Sequence, residues 1–191
     1  MCNANWLDYC QSIISEFSLN KGRAVVAGGD TGLLPIHNGL LAAAKLSDPK
    51  KTVVLIHDGV RPLIDAGTIE RNVASVEEFG SSITCVKAKE TILVKADDGV
   101  EIVPRENVLL ARAPQGFWLS DILAAHKMAL DAGETGCIDS ATMMKAQGND
   151  LHLIVGPDEN IKITTQDDYY SMRSILDSRE NNQLYAEGED E

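Results

Sequence analysis

The sequence is short of aromatic residues, of positive charge and of long apolar runs, and each shortage narrows what the chain does. Phe, Trp and Tyr make up 5% of it, so the core leans on Val, Ile, Leu, Ala and Met. Lys and Arg number 17 against 29 Asp and Glu, a net charge of −12. That balance argues against sequence-independent binding to nucleic acid or to an anionic membrane, both of which want a basic face. It leaves room for a phosphorylated small molecule, which a few local cations or a metal can hold. No apolar run is long enough to span a bilayer, and no charged region followed by an apolar one marks a signal peptide. The expected setting is cytoplasmic. The four cysteines, Cys2, Cys10, Cys85 and Cys137, are scattered, without a CxxC pair or zinc spacing, and read as reduced thiols.

What is present is a 191-residue chain with 44% apolar residues, enough for one domain, or one domain with an arm. Residues 5–17 place Trp6, Leu7, Cys10, Ile13, Ile14 and Phe17 on one helical stripe. "RAVVAGGD" reads as a short strand over residues 24–27 ending in a turn, and "IHNGLLAAAKLSD" as a helix. "KTVVLIHD" is the clearest strand; it is β-branched and does not alternate, so the expectation is parallel pairing with both faces covered. Next come a helix capped by Thr68 and stopped by Gly80, and the strand "SSITCVKA". "ETILVKADDGVEIVPREN" alternates around Asp-Asp-Gly and predicts a hairpin. "WLSDILAAHKMALDAG" predicts a helix, "LHLIVG" a last strand, and "TTQDDYYSMRSILDSRE" a terminal helix. Residues 179–191 read as an acidic, disordered tail. Strands separated by helices of these lengths mean an α/β open sheet, whose ligands sit beyond the carboxyl ends of the strands.

Three strand ends carry polar groups: Gly28-Gly29-Asp30, His57-Asp58, and the run leading to Asn160 and Lys162. Asp58, at the end of "VVLIHD", can hold Mg2+ against phosphate oxygens. Arg61, after a tight turn, can grip a phosphate. The same spacing also suits a structural Asp–Arg turn, and His57 reads as a hydrogen-bonded wall residue. Gly29 and Asp30 either let a nucleotide base approach or form a plain turn. Lys162 lies between Ile161 and Ile163 and needs an anionic partner if it is buried; it is either a point charge on a reacting phosphate or an edge-strand lysine. Alone, Arg105 reads as a solvated charge, Asp139 as a helix cap, and His126 as a surface or core-edge residue.

"VVLIHDGVRPLI", "APQGF", "DSATMM" and "LIVGPDENIKITTQDD" occur in this order. Together they resemble the 2-C-methyl-D-erythritol 4-phosphate cytidylyltransferase family, which has a ribitol-5-phosphate branch, from about Trp6 to Met172. The resemblance implies an α/β, Rossmann-like nucleotidyltransferase sheet within residues 1–178, with residues 89–112 as a protruding β-arm through which a homodimer forms. It implies transfer of CMP from CTP to a sugar-alcohol phosphate, with ribitol 5-phosphate favoured, and release of pyrophosphate. By the same resemblance Asp58 binds Mg2+ and Lys162 steadies the reacting phosphates. Arg61, Thr91, Arg105 and Asp139 meet the sugar phosphate, Arg105 reaching it in the partner subunit. Gly29 and Asp30 meet the cytosine.

The chain also departs from the family pattern. The family's first strands and Gly-rich triphosphate loop find no match in it, so the expectation is little CTP turnover by this chain alone. Pro35 stands where a serine usually meets the nucleotide. Ala113 and Ile138 replace two threonines, which argues against the methylerythritol substrate of isoprenoid synthesis. Two alternatives stay open: the methylerythritol enzyme itself, and a truncated, inactive homologue serving as a dimerising or regulatory subunit.

Overall fold

The computed structural model describes residues 1–29, 33–134, 137 and 139–186. Its strands form a mixed sheet in the order β1-β5-β2-β6 and a separate two-stranded β3-β4 sheet. These strands are β1 (Val53–Ile56), β2 (Ser81–Lys87), β3 (Ile92–Ala96), β4 (Gly99–Val103), β5 (Leu109–Trp118) and β6 (Leu153–Val155). The helices are α1 (Leu7–Glu16), α2 (Leu33–Ala44), α3 (Ala66–Phe79), α4 (Leu119–Asp131), α5 (Ser140–Ala146) and α6 (Gln166–Ala186). The chain contacts divide into two compact units, and β2, β5 and α3 contribute residues to both. Among the described residues no helix is long and apolar enough to cross a membrane.

The first unit comprises Met1–Ile56, Val73–Ser82 and Gln115–His152. In it β1 pairs antiparallel with the second half of β5, from Val53↔Trp118 to Ile56↔Gln115. This corrects the expected parallel pairing, and all four β1 residues are only half-buried. The partner strand escaped the sequence reading because "APQGF" carries a proline and a glycine, both unusual inside a strand. Gly116 is there for space: a Cβ would come 2.5 Å from Ser82 Oγ and 2.8 Å from Leu55 Cδ2. Phe117, Leu119, Ile122 and Met143 are fully buried, and α4 packs against α2 and α5. His126 is also fully buried, which corrects its reading as a surface or core-edge residue. Helix α1 forms as its stripe predicts but buries none of its residues; Trp6 and Phe17 stay exposed. The expected strand over residues 24–27 reduces to one bridge, Cys2↔Ala27, since a strand needs a laddered neighbour to persist.

The second unit comprises His57–Asn72, Ile83–Pro114 and Leu153–Glu191. In it β2 pairs parallel with β6 from Ile83↔Leu153 to Cys85↔Val155. Asn72, on α3, donates to Thr84 Oγ1 at 3.0 Å and so ties the helix to β2. The cap of α3 is Asp65, not Thr68: Asp65 Oδ1 accepts from the Thr68 backbone N–H at 2.6 Å. The arm is the expected hairpin, with Ala96↔Gly99 closing it around Asp97 and Asp98. Helix α6 opens with a capping box. Asp168 Oδ2 accepts from the Thr165 N–H at 2.8 Å, and Thr165 Oγ1 accepts from the Asp168 N–H at 3.3 Å. These bonds, led by the Thr164 N–H, hold the Asp168 carboxyl down at about 2. The helix runs to Ala186, into the stretch read as a tail.

Candidate active site

The tight turn after β1 is built around its own ions. The Arg61 N–H closes it onto the Asp58 carbonyl at 3.0 Å. The His57 Nε2 lies 2.9 Å from the Arg61 carbonyl; a carbonyl only accepts, so Nε2 carries the proton, and His57 serves as the wall residue expected of it. Arg61 is nearly buried because its donors are taken: Nε donates to Asp58 Oδ2 at 3.0 Å and Nη1 to the Asn160 carbonyl at 2.9 Å. Lys162 Nζ reaches the same Asp58 Oδ2 at 3.6 Å. The turn reading of "HDGVRP" is met: the Asp58–Arg61 pair is structural, and the same carboxylate oxygen also holds the Lys162 ammonium.

Two residues join this cluster: Asn160, at the end of a run that the sequence marks, and Arg112, which sequence reasoning missed. Asn160 is fully buried. Its Nδ2 donates to the Ala113 carbonyl at 2.7 Å, while its own carbonyl accepts from Arg61 and, at 3.1 Å, from Arg112 Nη1. Arg112 lies in the second unit with Asp58, Arg61 and Lys162. Burial, then the neighbouring Arg61 charge, pulls its pKa down. The signal for Arg112 was the one that picked out Lys162, a lone cation in an apolar stretch ("LLARAP"). Arg61 and Lys162 pair with Asp58, while Arg112 and Lys89 face the Asp158 carboxylate; four cations against two carboxylates leave an excess of positive charge, which suits a phosphorylated ligand.

The other expected site residues stand apart in the contacts they make. Thr91 is exposed at the foot of β3. Arg105, in a short 3-10 turn, is exposed and donates to the Lys89 carbonyl at 3.3 Å. In the first unit Asp139 caps α5: Oδ1 accepts from the Thr142 N–H at 2.8 Å and Oδ2 from Gln115 Nε2 at 2.9 Å. Burial pushes its carboxyl up, but the bonds from Thr142 and Gln115 outweigh that and leave the pKa below the usual range. Both oxygens are thus engaged within the protein. Gly29, with Met1, Cys2 and Pro35, lines a cavity of about 380 Å³; Asp30 and Ile138 lie outside the described residues.

For a metal, no cluster of three or more His, Cys, Asp or Glu groups occurs among the described residues. Asp58 is then a single carboxylate, which fits Mg2+, an ion bound through one or two carboxylates together with substrate phosphates. Both recorded cation contacts of Asp58 are to Oδ2.

Comparison with known proteins decides the kinship of this arrangement. Residues 4–178 match the 2-C-methyl-D-erythritol 4-phosphate cytidylyltransferase (IspD) family. The chain belongs to this family. It is 47% identical over 188 residues to the ribitol-5-phosphate cytidylyltransferase of Streptococcus agalactiae serotype III (strain NEM316), a match covering 97% of this chain and 78% of that protein. It is 38% identical over 174 residues to the 2-C-methyl-D-erythritol 4-phosphate cytidylyltransferase of Geotalea uraniireducens (strain Rf4), covering 90% and 73%. Among solved structures, the 4-diphosphocytidyl-2C-methyl-D-erythritol synthase of Anaerococcus prevotii DSM 20548 superposes with a TM-score of 0.77 at 27% identity, covering 92% of this chain and 76% of that one. The Rossmann-like nucleotidyltransferase expectation is met, and the IspD-family chain is by kinship a cytidylyltransferase.

Proposed function

We propose that this IspD-family protein transfers the cytidylyl group of CTP to ribitol 5-phosphate. The observation that carries the reading is the Asp58–Arg61–Lys162 cluster in a chain 47% identical to a ribitol-5-phosphate cytidylyltransferase. A phosphate oxygen of the sugar alcohol attacks the α-phosphorus of CTP, a P–O bond forms, and pyrophosphate leaves with the electron pair of the bond that breaks. No covalent enzyme intermediate is needed, so catalysis is positioning and charge neutralisation. Lys162, half-exposed beside Asp58, offers its ammonium donors to the phosphates. Asp58 holds Mg2+, which when bound neutralises phosphate charge. Arg61 fixes the carboxylate and keeps the site cationic. Gly29 and Asp30 serve the nucleotide side.

In this reading Thr91 lines the sugar-phosphate pocket and Arg105 reaches the phosphate from the arm of a second copy, in a cytoplasmic homodimer. What supports pairing through the arm is its exposed apolar surface, which includes Leu93, Val100 and Ile102. Ala113, in place of the threonine described for the methylerythritol enzymes, favours the ribitol substrate. The test is pyrophosphate release by the full chain with CTP and Mg2+, where turnover is expected to be slow because the family's Gly-rich triphosphate loop finds no match in the sequence. Turnover of ribitol 5-phosphate is expected to exceed that of methylerythritol 4-phosphate by about tenfold or more, and Asp58→Ala to lower it by roughly a hundredfold. Equal turnover of both substrates overturns the substrate assignment; full activity in Asp58→Ala overturns the role of Asp58.

A further inference from the structure

Lys162 has no rigid element of its own. It follows an irregular turn in which the Asn160 N–H bonds to the Pro157 carbonyl at 3.2 Å and the Ile161 N–H to the Glu159 carbonyl at 2.7 Å. Its side chain is 49% exposed. On its far side the Ile163 N–H bonds to the Val60 carbonyl at 2.9 Å, and on its near side the bonds of the turn show what holds it. Three carbonyls of the turn converge on one nitrogen, Arg112 Nη1: Asp158 at 2.8 Å, Asn160 at 3.1 Å and Pro157 at 3.4 Å. That nitrogen has two protons, so the shorter contacts are the principal bonds and the third shares a proton. The next residue along β5, Ala113, grips the same turn through its carbonyl and Asn160 Nδ2. Two consecutive residues of a sheet strand thus fasten the turn that precedes Lys162.

The Ile163 bond fixes the chain after Lys162 and leaves the turn before it to side-chain bonds, of which the others are weaker than those of Arg112. Lys89 Nζ pairs with the Asp158 carboxylate at 2.7 Å, but both side chains are more than half exposed, and such pairs contribute little. Arg61 holds only the Asn160 carbonyl, and it shares that oxygen with Arg112. Two guanidinium groups on one oxygen repel each other, and the arrangement persists because a neutral residue at position 112 would leave the Asp158 carbonyl without its donor.

We propose that Arg112 is a positioning residue. It pins the Pro157–Asn160 turn so that Lys162 is presented to Asp58 and, on the cytidylyltransferase reading above, to the reacting phosphates. It does so without touching the substrate.

The experiment uses the full chain as wild type, Arg112→Met and Arg112→Lys. Amide hydrogen exchange over residues 157–163 is expected to speed up about tenfold in Arg112→Met, with exchange in α4 and β1 unchanged, and by less in Arg112→Lys, whose ammonium serves the carbonyls without the planar fork. In turnover, Arg112→Met is expected to lower kcat by about ten- to a hundredfold with KM for both substrates unchanged, and Arg112→Lys to restore part of it. Unchanged exchange over residues 157–163 overturns the proposal. So does a raised KM for the sugar phosphate at constant kcat, which would make Arg112 a substrate contact. If the wild type shows no turnover, the cytidylyltransferase reading falls and the exchange comparison alone decides the role of Arg112.

Discussion

The surroundings of Arg61 in the second unit and of His126 in the first both bury an ionisable side chain, to 9% and 0% exposure, and they treat its charge in opposite ways. Arg61 stays charged because Asp58 Oδ2 and the Asn160 carbonyl take its donors. His126 has no hydrogen-bond partner on either ring nitrogen. Burial, and secondarily His37 with its ring centroid 5.8 Å away, push its pKa down to about 4, so it is a neutral packing residue. A buried charge persists where acceptors are built around it, and is lost by deprotonation where they are not. The sharpest way to break the contrast is Arg61→Met, which leaves Asp58 without its closest cation. The expected loss is about 3 kcal/mol of stability, the low end of what removing one partner from a buried pair costs, because the Asp58 side chain is 37% exposed and keeps Lys162 at 3.6 Å; it is read from urea unfolding followed by circular dichroism. Arg61→Lys should recover only part of it, since an ammonium does not match the guanidinium's planar span. A near-neutral Arg61→Met would mean that its burial resembles that of His126.

The His126 side of the contrast is tested with pH. Above its ordinary value of 6.5, His126 is neutral in both folded and unfolded chains and its contribution to stability is complete. Between 6.5 and about 4 the unfolded chain binds a proton that the folded one refuses, so stability falls as pH falls, by up to about 1.4 kcal/mol per unit. The accumulated loss is about 3 kcal/mol, and it levels off below pH 4. Urea midpoints at pH 7 and pH 4.5 should therefore diverge in the wild type, and diverge much less in His126→Leu. Equal divergence in both would assign the acid sensitivity to other groups.

These contrasts also show what was legible in the sequence. Strand β1, the hairpin and the end of α3 at Gly80, whose φ is +83°, follow from local pattern. So do Asp58 and Lys162, each conspicuous by its position next to apolar chain. Strand β5 did not, because Pro114 and Gly116 mimic a break and the close approach at Gly116 is purely tertiary. Arg112 did not either, because the Asn160 carbonyl it serves lies 48 residues away along the chain and every residue type offers a carbonyl; Asn160 is conspicuous as a polar residue after a strand, but its bond to the Ala113 carbonyl is not. His126 was legible and overlooked: Ile122, Ala125 and Ala129 are buried beside it at helical spacing, and periodicity places it among them whatever its chemistry. The exposed stripe of α1 is the converse, a pattern that announced a buried face where the described structure buries none of the helix.

The smallest expected effect sharpens the contrast from the other end. Arg179 pairs with the Glu159 carboxylate through Nε and Nη2, the same guanidinium–carboxylate chemistry that Arg61 offers Asp58, and within the same unit. Its partners lie in water: the side chains are 42% and 47% exposed. Water screens the attraction and serves either group once the other is gone, so no orphaned charge remains in a medium of low polarity. Arg179→Ala should cost under about 1 kcal/mol in urea unfolding, and raising the salt should remove most of that. Arg61→Met should keep more of its cost at the same salt, because the Arg61 end of its pair is shielded from counterions by burial. If both variants respond alike to salt, the difference between them is not one of burial, and the account of Arg61 as a charge held by built-in acceptors has to be given up.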